Sequence, residues 1–165
     1  MILGCVGLFT VVAKGAKDAV DTLDDNASGK NAVAGTMNTA ARDGKFEFTV
    51  TKLECGKTSV GDPILAVKAQ GQFCIVSVTV KNIGKEAQTF DGTSQKAYDA
   101  KNTQYSDDSE AEVAINKDAR TFLEQINPGN SVKGQLVFDV PKGTKLTSIE
   151  LHDSFLSGGV KIPLK

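Results

Sequence analysis

Gly71-Gln72-Phe73-Cys74-Ile75-Val76-Ser77-Val78-Thr79-Val80-Lys81-Asn82 is the stretch on which the fold turns. Cys74, Val76, Val78 and Val80 recur at every second position, and a period of two puts them on one face of a half-buried strand. Asn82-Ile83-Gly84-Lys85 then reads as a turn into a partner strand over residues 87–91.

The same period appears on both sides. Upstream, Phe46, Phe48 and Val50 alternate with Glu47, Thr49 and Thr51. Leu53 and Cys55 fall on the opposite phase, which calls for a bulge or bend near Lys52. Residues 56–62 are turn-rich. Downstream, residues 96–100 and 104–105 flank an Asn102-Thr103 turn, residues 106–120 read as a polar loop, and residues 121–126 lead into Asn127-Pro128-Gly129-Asn130. In that turn proline fixes one dihedral and glycine relieves the next. Val132, Gly134, Leu136, Phe138 and Val140 alternate up to Pro141, and Leu146, Ile149, Leu151 and Val160, Ile162, Leu164 suggest two more strands. About seven short strands without a core helix predict an all-β sandwich over residues 44–165.

The chain has 165 residues, 40% hydrophobic and 24% charged, which is a globular composition. Nineteen basic against twenty acidic residues leave a net charge of -1. Nucleic-acid binding needs a concentrated basic face, so this balance argues against it. The lysines are scattered singly, which gives no polybasic grip on anionic lipid.

Residues 14–43 are rich in Ala, Asp, Asn, Gly, Thr and Lys, with few large apolar residues. Such a composition buries too little surface to offset chain entropy and reads as a flexible linker. Residues 1–13 form an apolar run that is too short to span a membrane alone. It reads as an anchor segment: the outer half of a truncated transmembrane helix, or a signal remnant in which Ile2-Leu3-Gly4-Cys5 resembles the end of a lipobox and Cys5 is lipidated. A frayed apolar N-terminus is the plain alternative. Lys14 and Lys17 follow directly and lean toward a cytoplasmic flank.

Two cysteines fall inside the sandwich. If the strands carrying Cys55 and Cys74 are neighbours, a disulfide can form. It would close a loop of about twenty residues and add roughly 3 kcal/mol in the chain-entropy model. Two buried thiols are the other reading, since cysteine also packs as a small hydrophobe. The pair makes a poor metal site, lacking a second ligand pair and lying far in sequence from His152, the one histidine.

Gly44-Lys45-Phe46-Glu47-Phe48-Thr49-Val50, the 71–82 stretch, Ile126-Asn127-Pro128-Gly129-Asn130 and Val137-Phe138-Asp139-Val140-Pro141, in this order, resemble the immunoglobulin-like domains of exported bacterial proteins catalogued as a domain of unknown function. That group is similar in fold to a secreted immunoprotective antigen of mycobacteria, and the paired cysteines resemble its actinobacterial branch. The resemblance covers residues 44–165. It implies an Ig-like sandwich displayed beyond the membrane and brings no catalytic or ligand residues.

Other chemistry finds little support. His152 adjoins Asp153 and Ser154 only in sequence, and no Gly-x-Ser-x-Gly elbow is present. Gly56-Lys57-Thr58 imitates the tail of a phosphate loop, but Thr51 stands where its first glycine belongs. Asp107, Asp108, Glu110 and Glu112 form an acidic loop whose spacing matches no ordered calcium loop, so a solvated loop is the simpler reading. No cofactor is implied. The expected function is a non-catalytic extracytoplasmic module that meets a protein, glycan or envelope component and touches the membrane through its N-terminal segment only. The alternatives are an exported hydrolase using paired carboxylates drawn from Asp99, Asp139 and Asp153, which need a shared pocket and separated acidities, and a ligand-free spacer.

Overall fold

The structure, a computed structural model, describes residues 7–116 and 122–165, with side chains from residue 16 onward. The elements run α1 (Gly7–Ala27), β1 (Val33–Ala34), β2 (Ala41–Asp43), β3 (Phe46–Val60), β4 (Val67–Asn82), β5 (Gln88–Thr89), β6 (Lys96–Asp99), β7 (Gln104–Ser106), α2 (Ser109–Ile115), β8 (Gln125–Ile126), β9 (Ser131–Val140), β10 (Leu146–Leu151) and β11 (Val160–Pro163). Two sheets face each other, one in the order β1-β11-β10-β6-β7 and one in the order β2-β3-β4-β9, with a small β5-β8 ribbon at the side. This is the expected β-sandwich. It has more strands than about seven because several are short, and β1 runs parallel to β11.

The alternation read from the sequence builds the core. Phe46, Phe48, Val50, Cys74, Val76, Val78, Val80, Leu136, Phe138 and Val140 are buried against Ala97, Ile149, Leu151, Val160 and Ile162 of the other sheet. The phase change in β3 is a bulge: Val50 pairs with Val78 and Lys52 with Ser77, which leaves Thr51 without a partner across the ladder. Gly134 occupies a core-facing position because Phe122 fills its space. A Cβ at Gly134 would sit 2.3 Å from the Phe122 ring. Phe122 in turn packs edge-on to Phe90 at 4.8 Å between centroids.

Three expectations are corrected. Of residues 56–62 only the last two lead into a turn, closed by the Leu65 amide on the Asp62 carbonyl at 3.0 Å: β3 continues to Val60, because Gly56, at φ 91°, takes up a second register shift and the strand resumes. Residues 106–120 are not all loop. Asp108 caps α2 by accepting from the Ala111 amide at 3.0 Å, and Ala111, Ala114 and Ile115 pack on Val60, Phe73, Ile75 and Val137 on the outer face of the second sheet. Residues 117–121 lie outside the described residues.

The third correction concerns the expected linker. Residues 14–43 carry most of α1 and then two strands. Val33 donates to the Gly159 carbonyl at 2.9 Å, and β2 pairs with β3 from Ala41 opposite Phe48 to Asp43 opposite Phe46. Alanine-rich sequence has high helix propensity even where it buries little, and the end of α1 is tied down: Asn26 Nδ2 donates to the Leu156 carbonyl at 2.7 Å and Lys96 Nζ to that of Ala27 at 3.0 Å. Among the described residues no helix is long and apolar enough to cross a membrane. Residues 1–6, including Cys5, lie outside the described residues.

Candidate functional site

β10 places Ile149 and Leu151 in the core, so Glu150 and His152 point to the outer face of their sheet. That face is covered there by the end of α1 and the segment 153–159. Glu150 and His152 are each 1% exposed, and His152 Nε2 lies 2.8 Å from Glu150 Oε1. Two glycines at positive φ make the space: a Cβ at Gly29 would meet Glu150 Oε2 at 2.2 Å, and one at Gly159 would meet the His152 ring at 2.6 Å. Lys96 and Lys161 flank Glu150 on the neighbouring strands. Lys161 Nζ stands 4.9 Å over the Tyr98 ring. Burial and the charge of Glu150 push the Tyr98 phenol up to about 12.

The network continues outward. The His152 amide donates to Gln95 Oε1 at 2.7 Å, and the fully buried Gln95 gives its Nε2 to the carbonyls of Asp91 at 2.7 Å and His152 at 3.1 Å. His152 Nδ1 is 3.1 Å from the Ser157 carbonyl and 3.5 Å from Ser157 Oγ. Ser157 Oγ is in short contact with Asp43 Oδ2, which also accepts from the Asp153 amide at 2.7 Å. Beside the histidine is an open depression of about 290 Å³ lined by Asp91, Thr93, Ser94, Lys96, His152 and Phe155.

A serine, a histidine and a carboxylate therefore meet, but not as a nucleophilic triad. Ser157 Oγ is 3.5 Å from Nδ1, longer than an ordinary hydrogen bond, while Nδ1 lies nearer the Ser157 carbonyl, at 3.1 Å. The hydroxyl hydrogen has Asp43 Oδ2 and the Ser154 carbonyl, the latter at 2.8 Å, as acceptors. The arrangement locks the segment after β10 and does not activate a nucleophile. Sequence reasoning weighed Ser154 and Asp153 and missed Glu150 and Ser157. The spacing of Glu150 and His152, two apart on a strand, was the available signal.

The carboxylates considered for hydrolysis are dispersed. Asp99 ties the β6–β7 turn, accepting from the Lys101 and Thr103 amides at 2.9 and 2.8 Å, and those bonds hold its carboxyl below the ordinary range. Asp139 accepts from the Gln70 and Gly71 amides at 2.6 and 3.0 Å, and Asp153 from the Lys45 amide at 3.3 Å. Each holds a different piece of backbone. The acidic loop brings together only one pair of its carboxyls, Asp107 and Glu112. Asp108 caps α2, Glu110 is exposed, and Glu112 turns back toward Asp107. Among the described residues no group of three or more ligand side chains could hold a metal.

Cys55 and Cys74 stand directly opposite each other on β3 and β4, Cα atoms 4.0 Å apart, and are joined as a disulfide. Cys74 is buried and Cys55 is exposed. Gly56-Lys57-Thr58 lies within β3 and opens no helix.

The β3–β4 hairpin projects from the end of the sandwich opposite to the end of α1. Its tip leaves Ile64 89% and Leu65 79% exposed. Next to it, Gly61, Asp62, Pro63, Val113, Ala114 and Ile115 contribute to an open depression of about 560 Å³. Pro63 and the exposed Val113 line that depression, and Ile64 and Leu65 follow Pro63 at the tip, exposed apolar side chains of the kind that mark interaction surfaces.

The family described as "Domain of unknown function (DUF4352)" matches residues 35–162. No curated protein matches the chain. Among solved structures, the fold is similar to a secreted protein of Mycobacterium tuberculosis, MPT63, with a TM-score of 0.57 and 15% identity over 81% of this chain and 97% of that one. It is similar to a β-sandwich protein of Clostridium difficile, with a TM-score of 0.52 and 14% identity over 81% and 95%. A proposed lipoprotein of Bacillus subtilis has a TM-score of 0.50 and 22% identity over 76% of this chain and 38% of that one. At these identities the likeness is one of fold.

Proposed function

The chain belongs to the family described as Domain of unknown function (DUF4352), and on that premise we propose that it is a non-catalytic module displayed on the outer side of the cell envelope, binding a protein, glycan or envelope component through its hairpin pole. The observation that carries this reading is the exposed Ile64-Leu65 tip beside the α2 depression, at the end of the sandwich away from α1. An apolar tip costs solubility unless something covers it. The extracytoplasmic side is supported by the Cys55–Cys74 disulfide, since such bonds persist in oxidising compartments. Two proteins of similar fold, one secreted and one a proposed lipoprotein, point the same way. In this reading the membrane is met through residues 1–13 only, with Cys5 as the site of a lipid.

A photo-crosslinker placed at position 64 and, separately, at the exposed Thr51 on the flank of β3 tests the binding pole on intact cells. A discrete adduct from position 64 alone is the expected result. Equal or absent labelling from both positions returns the module to the status of a spacer. Peptide mapping after alkylation, with and without reduction, tests the compartment: free Cys55 and Cys74 thiols in protein from native cells would remove the argument for export.

A further inference from the structure

Helix α2 is fastened to the outer edge of β9 at both ends. At its start Asp107 Oδ1 accepts from the Val137 amide at 2.9 Å, and the Asp108 amide donates to the Val137 carbonyl at 2.7 Å. At its end Asn116 accepts from the Gln135 amide at 2.9 Å and donates to the Gln135 carbonyl at 3.0 Å. Residues 135 and 137 are the outward-facing pair of a sheet edge, and the helix satisfies them as a further strand would.

Between these fastenings Glu112, 7% exposed, folds beneath the helix. It presses on Gly92, where a Cβ would lie 2.2 Å from Glu112 Oε2. Asp107 Oδ2 and Glu112 Oε2 are both buried and have no hydrogen-bond partner among the described residues. Asp107 stands just before the Asp108 cap and Glu112 four residues after it, positions that face each other across a helix start, and the two carboxyl groups act on each other. Two carboxylates have only acceptors, so a bond between them needs one proton held between them.

We propose that the Asp107–Glu112 pair is a proton-operated latch, which holds α2 against β9 while it shares one proton and releases the helix when that proton leaves to solvent. Losing the proton puts two negative charges side by side in a buried place. Among the described residues the other charged groups acting on the pair are Asp91, next to Gly92, and, on Asp107, Asp108 at the cap; both are acidic and add to the repulsion. The faces of β3, β4 and β9 beneath the helix offer Val60, Phe73, Ile75 and Val137, which cannot solvate the charge. Burial is the largest cause raising both carboxyls above their ordinary range, Asp107 to about 6 and Glu112 to about 9. Opening would bare the β9 edge and this apolar strip together.

The test is amide hydrogen exchange of residues 107–116 in the full chain, corrected for intrinsic base catalysis, at about pH 6 and about pH 8. One proton released per opening makes protection fall about tenfold per pH unit, so a loss of at least about tenfold across the interval is expected. Glu112→Gln, which keeps a neutral donor for Asp107, and Asp107→Asn, which keeps an acceptor for Val137, should each flatten the dependence. If either variant fails to fold, carboxyl carbon titration of the wild type decides: one of the two resonances must titrate well above the ordinary carboxyl range. Equal slopes in wild type and variants, ordinary titration of both carboxyls, or restored protection of α2 on adding calcium chloride at about pH 8 would each overturn the latch.

Discussion

Glu150 and His152 form a buried pair on the outer face of β10, with imidazole Nε2 2.8 Å from carboxylate Oε1 and both side chains 1% exposed. Removing one partner of such a pair leaves the other desolvated with nothing to answer it, which costs about 3 kcal/mol or more. Glu150→Ala is expected to lower the urea midpoint by that order, and Glu150→Gln by less, because an amide can still bond the ring. A Glu150→Ala protein as stable as the parent would mean that the pair contributes nothing.

Gly159 lies at φ 79° with the His152 ring against it, so Gly159→Ala meets both backbone strain and a clash. We expect a loss of about 1–3 kcal/mol in equilibrium unfolding. Gly143, also at positive φ but with open space around a Cβ, should lose about 1 kcal/mol when changed to alanine, through strain alone.

Asn82 closes β4. Its Nδ2 donates to the Glu86 and Ile126 carbonyls at 2.7 Å each, and its Oδ1 accepts from the Gly84 amide at 2.8 Å. Asn82→Ala strands the buried Ile126 carbonyl, worth about 1–3 kcal/mol when left unpaired, and frees the part-buried Glu86 carbonyl and the Gly84 amide. A drop of about 3 kcal/mol in denaturant unfolding is expected, with Asn82→Asp also harmful because a carboxylate cannot donate to those carbonyls.

Reducing the Cys55–Cys74 bond should lower stability by about 3 kcal/mol, from the loop closed across a sequence separation of 19. The paired variant Cys55→Ser with Cys74→Ala should match the reduced protein in thermal unfolding. Because Cys55 is exposed, a water-soluble phosphine should reach the bond without global unfolding. Reduction only under denaturing conditions would contradict that.

The Asp107–Glu112 pair also sets a direction for stability against pH. Below the ordinary carboxyl range both states hold their protons and the contribution is full. As pH rises from about 4, the unfolded chain releases protons that the folded chain retains, so stability falls until the raised value, about 9 for Glu112, is passed. Urea midpoints at about pH 5 and about pH 8 should therefore diverge in the parent and draw together in Glu112→Gln. Asp91, held below the ordinary range with its carboxyl bonded to Thr93 and Ser94, acts in the opposite sense and only in acid.

Much of this architecture was legible in the chain. A period of two over Phe46, Phe48, Val50 and over Cys74, Val76, Val78, Val80 can be satisfied only by strands that bury one face, so the sandwich and the bulge after Val50 followed directly. The turn at Asn127-Pro128-Gly129-Asn130 followed from backbone chemistry. The short strands β1 and β2 did not, because strands of two or three residues have too little length to show a period and form only where a finished sheet offers them an edge. Helix α2 had a faint signal: Phe73 and Ile75 are apolar on the phase opposite to Cys74 and Val76, which means that both faces of β4 are covered.

Local patterning thus determined which residues face the core, since that depends on neighbours along the chain. Contacts between distant segments decided the rest. That Glu150 meets His152 beneath Gly29, that Asp43 reaches Ser157, and that Glu112 turns under its helix to Asp107 are consequences of packing. A carboxylate has the same intrinsic chemistry wherever it stands in the sequence. Only the fold decides how much water it keeps and what charge it faces, and those two terms set its behaviour.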